Sequence, residues 1–499
     1  MVRLSDINES NPWWRHGTAF SAFDMDLKRY SAQRFKVRRA LPKMETGRIY
    51  MIKGPRRVGK TVALKLLVLG LLEHGVRSED ILYFSFDGVR SDKELYNLLE
   101  DFLAKVHKSS YLLLDEIQNV DRWEFRIKHL YDSGALQNTV TVITGSIAHL
   151  LKREMLPGRG IEGNVYSMRT LSFNRFCLAV LADASAGIGK TARFLGEEVA
   201  AGELETLGRL LDSNGITLNE NLEELYGLLE PVSVHSLLLR KMFDLYIRTG
   251  GYPLAINSYF ANNENGVGQD VADEVYNYII NDAATLAGSA LGDPGKAMQA
   301  LKAISLNVGN GVSNSKLAGY VGLDHKTFAS YSGRLENSYA VLSLSGADAH
   351  LQDVRIKKMY FADVFMHYAV GSRLSGYGMN AYYSELVNIE SIGAIIEEVV
   401  AGALIRVRET DSEPYGSYLR FLRKSNRELD FVFMRGDGSR IGIEVKYQNE
   451  PSPRNDVYRV KAINEYIILS KDTLKKGSDY LMTPAYLFLA LLKQSPHSI

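Results

Sequence analysis

The chain has 499 residues, 46% of them hydrophobic and 23% charged, the composition of an ordinary globular protein; that length suits roughly two to four domains. Its 59 basic and 58 acidic residues nearly cancel, so no bulk positive field advertises nucleic acid and any basic surface must be local. A single cysteine, Cys177, excludes an intramolecular disulfide framework and a cysteine-rich zinc site, and reads as a small buried apolar residue. The opening stretch lacks the apolar core of a signal peptide; its Trp13 and Trp14 read as caps on a core rather than as a base-stacking pair. No uncharged run reaches the ~18 residues that a membrane helix needs. A soluble, cytoplasmic protein without a membrane partner is expected.

From Gly47 to about Met168, short apolar strands alternate with amphipathic helices, the pattern of a mostly parallel sheet covered on both faces. The predicted strands are Arg48 to Lys53, Ile81 to Phe86, Tyr111 to Asp115, Val140 to Thr144 and Asn164 to Met168. Between the first strand and a helix starting at Val62 stands Gly54-Pro55-Arg56-Arg57-Val58-Gly59-Lys60-Thr61, which fits G-x-x-x-x-G-K-[ST] in its required strand-loop-helix context. Its backbone N–H groups are placed to wrap phosphates at a helix N-terminus, Lys60 to meet the β and γ phosphates, and the Thr61 hydroxyl to coordinate Mg²⁺. ATP and Mg²⁺ are therefore the expected ligands.

The third strand ends in Asp115 and Glu116, at the edge where open α/β sheets bind ligands. Asp115 suits the Mg²⁺ shell, and Glu116 the orientation of an attacking water. The fourth strand delivers Gly145-Ser146 to the same edge, so a hydroxyl there, Ser146 ahead of Thr144, is placed to sense the γ-phosphate. Arg159 follows after one short helix as the candidate arginine finger; Arg153 competes, and either could be a surface salt-bridge partner. Together with Leu171-Ser172-Phe173-Asn174-Arg175-Phe176 and Gly251-Tyr252-Pro253, these motifs resemble the archaeal and bacterial AAA-type ATPases that end in a nuclease-like module. The resemblance implies an α/β fold: a P-loop AAA+ core over residues 41–175 behind an N-terminal segment, 1–40. A helical lid (176–295), a winged helix (296–385) and an α/β nuclease-like domain (386–499) would follow. One departure is Met168-Arg169-Thr170, where that family leads one to expect an apolar residue and a proline.

From Asn174 to about Asn307 the text turns helical. A second Gly-Lys-Thr, at Gly189-Lys190-Thr191, has Ala184 where a phosphate loop needs its first glycine, and no strand leads into it; it reads as a turn. Val312 to Val321, the turn Gly322-Leu323, and Asp324 to Asn337 read as a helix-turn-helix with Asp324 as N-cap, and Val341 to Leu344 with Lys358 to Phe361 as a wing. In a groove-reading role the second helix would present His325, Lys326, Tyr331 and Arg334 to DNA. The alternative is a module that packs against the ATPase or a partner protein.

Leu429 to Met434 and Arg440 to Lys446 are two strands joined by Arg435-Gly436-Asp437-Gly438-Ser439, strong hairpin chemistry. Folding there brings Asp430 beside Glu444 and Lys446 on one face. This resembles the PD-(D/E)xK nuclease core, and Glu397 on the preceding helix matches that family's additional acid. The resemblance implies a metal held by Asp430, Glu444 and Glu397, with Lys446 beside it, and cleavage of DNA. The plainer reading is a solvated hairpin whose lysine pairs with one acid. The expected whole is an ATP-dependent DNA-processing ATPase, with DNA and further copies of the chain as partners. The rival readings are a regulatory ATP switch that binds a protein, and a DNA motor with an inactive nuclease-like module.

Overall fold

The computed structural model describes residues 4–89, 91–105, 109–146, 161, 163–185, 191–194, 197–262, 265–285, 292–348, 350, 352–388, 392–410, 413–425, 427–453 and 455–499. It divides into two compact units, Met1–Arg169 with Pro496–Ile499, and Thr170–Ser495.

In the first unit β1 (Arg48–Lys53), β2 (Ile81–Ser85), β3 (Ser110–Asp115), β4 (Thr139–Gly145) and β5 (Val165–Ser167) form one sheet, ordered β2-β3-β4-β1-β5, with every neighbour parallel. These are the strands expected from the sequence, their ends displaced by at most a residue. Near-continuous apolar runs form them because both faces are covered; Leu112, Leu113 and Leu114 are wholly buried. With β1 between β4 and β5, the chain turns out of the sheet at Gly54 where the strand order reverses, the place such sheets reserve for ligands.

Both sheet edges are covered from within this unit. The Asn11 side-chain amide accepts from the Tyr83 N–H (2.7 Å) and donates to the Tyr83 carbonyl (2.9 Å), standing in for a missing strand beside β2. The indoles of Trp13 and Trp14 both donate to the Ile81 carbonyl, at 3.2 and 2.9 Å. At the far edge the Ser167 N–H donates to His497 (2.7 Å) and Ile499 donates back to Ser167 (2.9 Å), so residues 496–499 line β5.

The second unit begins with the helices Phe173–Ser185, Ala201–Ser213, Leu222–Ser233, Ser236–Thr249, Pro253–Ala261, Gln269–Thr285 and Pro294–Ser305. A short antiparallel strand pair, β6 (Thr191–Phe194) and β7 (Glu197–Ala200), lies in the stretch that reads as mostly helical in the sequence. Strands of four residues are too short to register in a window of helical period.

Next come the helices Asn314–Tyr320 and His325–Asn337, the second capped by Asp324, whose carboxylate accepts from the Thr327 N–H (2.9 Å). β8 (Val341–Ala347) and β9 (Asp353–Phe361) pair antiparallel, and β10 (Leu419–Lys424), β11 (Arg427–Met434) and β12 (Arg440–Val445) follow after the helix Ile392–Ile405. With β13 (Glu465–Ser470), β14 (Lys475–Lys476) and β15 (Tyr480–Pro484) they make one sheet, ordered β14-β15-β13-β12-β11-β10-β8-β9. The two segments expected as a wing pair with each other and also join this sheet: β8 runs parallel to β10, with Phe421 opposite Gly346, and covers an edge that β10 would otherwise leave open.

Candidate nucleotide site and a buried carboxylate cluster

The phosphate-loop segment folds as its glycines dictate. Gly59 (φ 100°) and Arg57 (φ 64°) lie in the left-handed region, and a Cβ on Gly54 would stand 1.9 Å from the Met168 carbonyl oxygen. Arg39 braces the loop from behind, donating to the Val58 carbonyl at 3.2 and 3.1 Å and to the Arg169 carbonyl at 2.7 Å. Lys60 opens the helix Lys60–Glu73; its buried ammonium donates to the carbonyls of Gly54 and Pro55, each at 2.9 Å, and lies 3.6 Å from Glu116 Oε1.

The next residue, Thr61, donates its hydroxyl to Asp115 Oδ2 (2.7 Å). Tyr83 donates to the same oxygen (3.0 Å), and the Thr144 hydroxyl donates to Oδ1 while accepting from the Glu116 N–H (3.2 Å). Burial pushes the Asp115 carboxyl above its ordinary range, against the Thr144 hydrogen bond. Glu116 goes the other way: although burial opposes ionisation, the Lys60 charge and the Gln118 hydrogen bond hold its carboxyl below the ordinary range. Gln118 donates to both Glu116 and Ser146 Oγ, the latter at 3.1 Å, so Ser146 stands beside the glutamate.

Lys60, Thr61, Asp115, Glu116 and Ser146 thus meet in one place. Thr144, the alternative to Ser146, is taken up in holding the two acids. Arg153 and Arg159 lie outside the described residues, as do Gly187 to Lys190 of the second Gly-Lys-Thr. Sequence reasoning passed over Tyr83 and Arg39 and gave Gln118 no role beyond its place in the Leu112-Leu113-Leu114-Asp115-Glu116-Ile117-Gln118 motif; the left-handed Glu116 (φ 53°) lets the Gln118 amide swing back.

Of the residues proposed to face DNA, His325 and Lys326 are exposed, but Tyr331 is buried and accepts from the Asp293 N–H (2.6 Å). Arg334 donates to the Ala283 carbonyl (3.3 Å) and lies over the Tyr331 ring. Those two face inward because their helix packs against Gln269–Thr285 and Pro294–Ser305.

In the same unit the hairpin β11–β12 brings Asp430 and Glu444 together, with the Asp430 N–H 3.4 Å from Glu444 Oε2 and Lys446 Nζ 2.8 Å from Glu444 Oε1. Glu397 joins them from the helix Ile392–Ile405, whereas its neighbour Glu398 turns away to His367 Nδ1 (2.8 Å) and the Phe361 N–H (2.7 Å). Among the described residues no group of three or more His, Cys, Asp or Glu is arranged to hold a metal ion.

What lies between the acids is the ammonium of Lys358, from β9. It is 2.7 Å from Glu397, 2.6 Å from Glu428 and 3.2 Å from Asp430, with its side chain 1% exposed. Its charge is held well above the ordinary lysine range: burial works against it, but Glu397, Asp430 and Glu428 outweigh burial. Burial, with the charge of Asp430, pushes Glu397 up to about 7 and Glu444 up to about 8. The metal expected at Glu397, Asp430 and Glu444 therefore does not fit these residues as they stand, because the chain supplies the cation. Glu428 was legible, since it precedes Asp430 by two and so shares its face. Lys358 was not, because it comes from a strand 72 residues upstream of Asp430.

Residues 46–177 match the AAA domain family, residues 240–376 a domain of unknown function (DUF8612) and residues 392–478 another (DUF4143). An uncharacterized protein of Haemophilus influenzae is 35% identical over 148 residues, 28% of this chain and 36% of that protein. One of Methanocaldococcus jannaschii is 30% identical over 144 residues, 27% of this chain and 30% of that one. The chain thus spans about a third of the length of the curated relatives it matches. Among solved structures, the Aeropyrum pernix ORC1 protein in complex with DNA aligns at 13% identity and TM-score 0.29, covering 68% of this chain and 89% of that one. Cdc6p of Pyrobaculum aerophilum aligns at 14% identity and TM-score 0.25, covering 78% and 97%. The parallel sheet, the phosphate loop on β1, the acids ending β3 and the family match agree: residues 46–177 are similar to an AAA domain and carry its phosphate-binding loop.

Proposed function

We propose that the chain is a Mg-ATP hydrolase whose cycle is coupled to DNA. The observation that carries the ATPase reading is the 2.7 Å contact between Thr61 Oγ1 and Asp115 Oδ2, which joins the end of the phosphate loop to the end of β3. A backbone cradle that excludes a Cβ at Gly54, a buried ammonium on loop carbonyls, and a hydroxyl beside a carboxylate are together a donor set that fits Mg-ATP. Thr61 and Asp115 would hold the Mg²⁺, which when bound neutralises charge on the phosphates. Lys60 exchanges its loop carbonyls for phosphate oxygens, and Gly54 to Thr61 supply N–H donors. Glu116, kept ionised by Lys60 and aimed by Gln118, accepts a hydrogen bond from the attacking water and orients it. Ser146 offers a hydroxyl to the same space.

Coupling to DNA is supported by the helix-turn-helix arrangement of Asn314–Tyr320 and His325–Asn337, with His325 and Lys326 exposed at the start of the second helix. The inward turn of Tyr331 and Arg334 favours a second reading, a protein-docking switch. ATP turnover measured without DNA and with single-stranded, duplex and branched DNA separates the two. We expect stimulation that weakens with salt and falls in Lys326→Ala; turnover indifferent to every DNA would establish the switch.

A further inference from the structure

The carboxylate cluster of the second unit brings together the acids and lysine that resemble a metal-dependent nuclease core, and adds a cation of its own. We propose that the Lys358 ammonium permanently holds the place that a divalent ion would need, so that Asp430, Glu444 and Lys446 serve as a charge-locked scaffold and do not hydrolyse phosphodiesters. The inference goes beyond the ATPase reading and does not depend on it.

Four acids converge here, and the chain satisfies each. Glu397 Oε1 receives Lys358 (2.7 Å) and the Tyr360 hydroxyl (2.6 Å). Glu428 receives Lys358 at 2.6 Å and faces Arg423 at 3.9 Å. Asp430 uses Oδ1 for Lys358 (3.2 Å) and Oδ2 for the Val445 N–H (2.9 Å). Glu444 takes Lys446 at 2.8 Å and faces the Asp430 N–H at 3.4 Å.

A divalent ion bound by Glu397 and Asp430 would compete with Lys358 for Glu397 Oε1 and Asp430 Oδ1, and would lie against its positive charge. Nor can the lysine leave freely. Its Nζ lies 5.5 Å from the centre of the Phe421 ring, and its withdrawal would strand Glu397 and Glu428 without their buried cation. The pairing also explains why β9 turns a lysine inward: the β8–β9 hairpin is pinned to the helix Ile392–Ile405 and to β11.

The experiment is calorimetric titration of the full chain with Mn²⁺, without nucleotide, for wild type, Asp430→Asn, Lys358→Ala and the Lys358→Ala/Asp430→Asn pair. Duplex cleavage in Mn²⁺ is assayed in parallel. Comparison with Asp430→Asn removes any heat from ions at Thr61 and Asp115. We expect wild type and Asp430→Asn to give the same trace at millimolar Mn²⁺ and to leave DNA intact. Lys358→Ala should acquire a saturable, micromolar site that disappears in the double variant. Wild-type Mn²⁺ binding or cleavage that is lost in Asp430→Asn overturns the proposal, as does a folded Lys358→Ala that gains no site. Should Lys358→Ala fail to fold, the wild-type comparison with Asp430→Asn decides alone.

Discussion

Glu116 sits at φ 53° and ψ 42°, a left-handed conformation that costs a residue with a Cβ about 1 kcal/mol or more and persists only where its surroundings impose it. Three contacts do so: its N–H donates to Thr144, its carboxylate receives Gln118, and Lys60 stands at 3.6 Å. The strain lifts the carboxylate off the line of β3 to face the phosphate loop. The same reasoning divides the labour of the charged residues. Lys60→Ala should abolish ATP binding, because of these two side chains the lysine is the one that meets phosphate in the ground state. Glu116→Gln should bind ATP at near wild-type affinity yet turn over ~10²- to 10⁴-fold more slowly, the usual contribution of a positioned base. Nucleotide binding by fluorescence and steady-state phosphate release make the comparison, and wild-type turnover in Glu116→Gln would remove that residue from the role. Lys60, Thr61, Asp115, Glu116 and Ser146 were legible because each is fixed by its distance from a strand end. Tyr83 and Arg39 were not, since their contacts depend on side chains brought from β2 and from the segment before β1.

At the scale of elements, the sheet of the first unit shows how an open edge is closed without a strand. Asn11 is fully buried, and its amide makes both hydrogen bonds that a neighbouring strand would offer Tyr83. Trp13 adds the apolar part, 1% exposed and edge-on to the rings of Phe20 and Tyr83. Asn11→Ala leaves a buried N–H and a carbonyl unpaired, so it should lower stability by about 1–3 kcal/mol. Trp13→Ala should cost about 3–5 kcal/mol. Urea unfolding followed by circular dichroism tests both, and a loss within about 0.5 kcal/mol, the range of an ordinary surface change, would mean the edge is held by something else. The five strands of this sheet were readable since parallel strands announce themselves as unbroken apolar runs. The eight-stranded sheet was readable only in pieces. Its central hairpin has the turn Asp437-Gly438-Ser439, with Gly438 at φ 83°, a local signal. The parallel pairing of β8 with β10 joins segments about 75 residues apart in the chain, and nothing in either segment names the other. The wing and the hairpin that looked like parts of separate domains are for that reason one sheet.

At the scale of the whole molecule, the chain carries one natural reporter for each compact unit. All three tryptophans, Trp13, Trp14 and Trp123, lie in the unit that holds the phosphate loop, and the single cysteine, Cys177, lies in the other. Cys177 is wholly buried, and burial pushes its thiol well above the ordinary cysteine range, so in the native protein it should resist alkylation. Its reaction with iodoacetamide then reports the opening of the second unit, while indole fluorescence reports the first. Each unit has its own apolar core, Ile49, Leu82, Leu114 and Ile143 in one, Leu422, Leu429, Val432 and Ile468 in the other. A ligand that binds only the folded first unit stabilises that unit by mass action, by about 2.7 kcal/mol at a hundred times its dissociation constant. Saturating Mg-ATP should therefore move the fluorescence transition to higher urea and leave the alkylation transition of Cys177 where it was. Lys60→Ala should lose the fluorescence shift. If both transitions move together in wild type and neither moves in Lys60→Ala, the two units unfold as one, and the energy of nucleotide binding at the phosphate loop reaches the helices around Cys177.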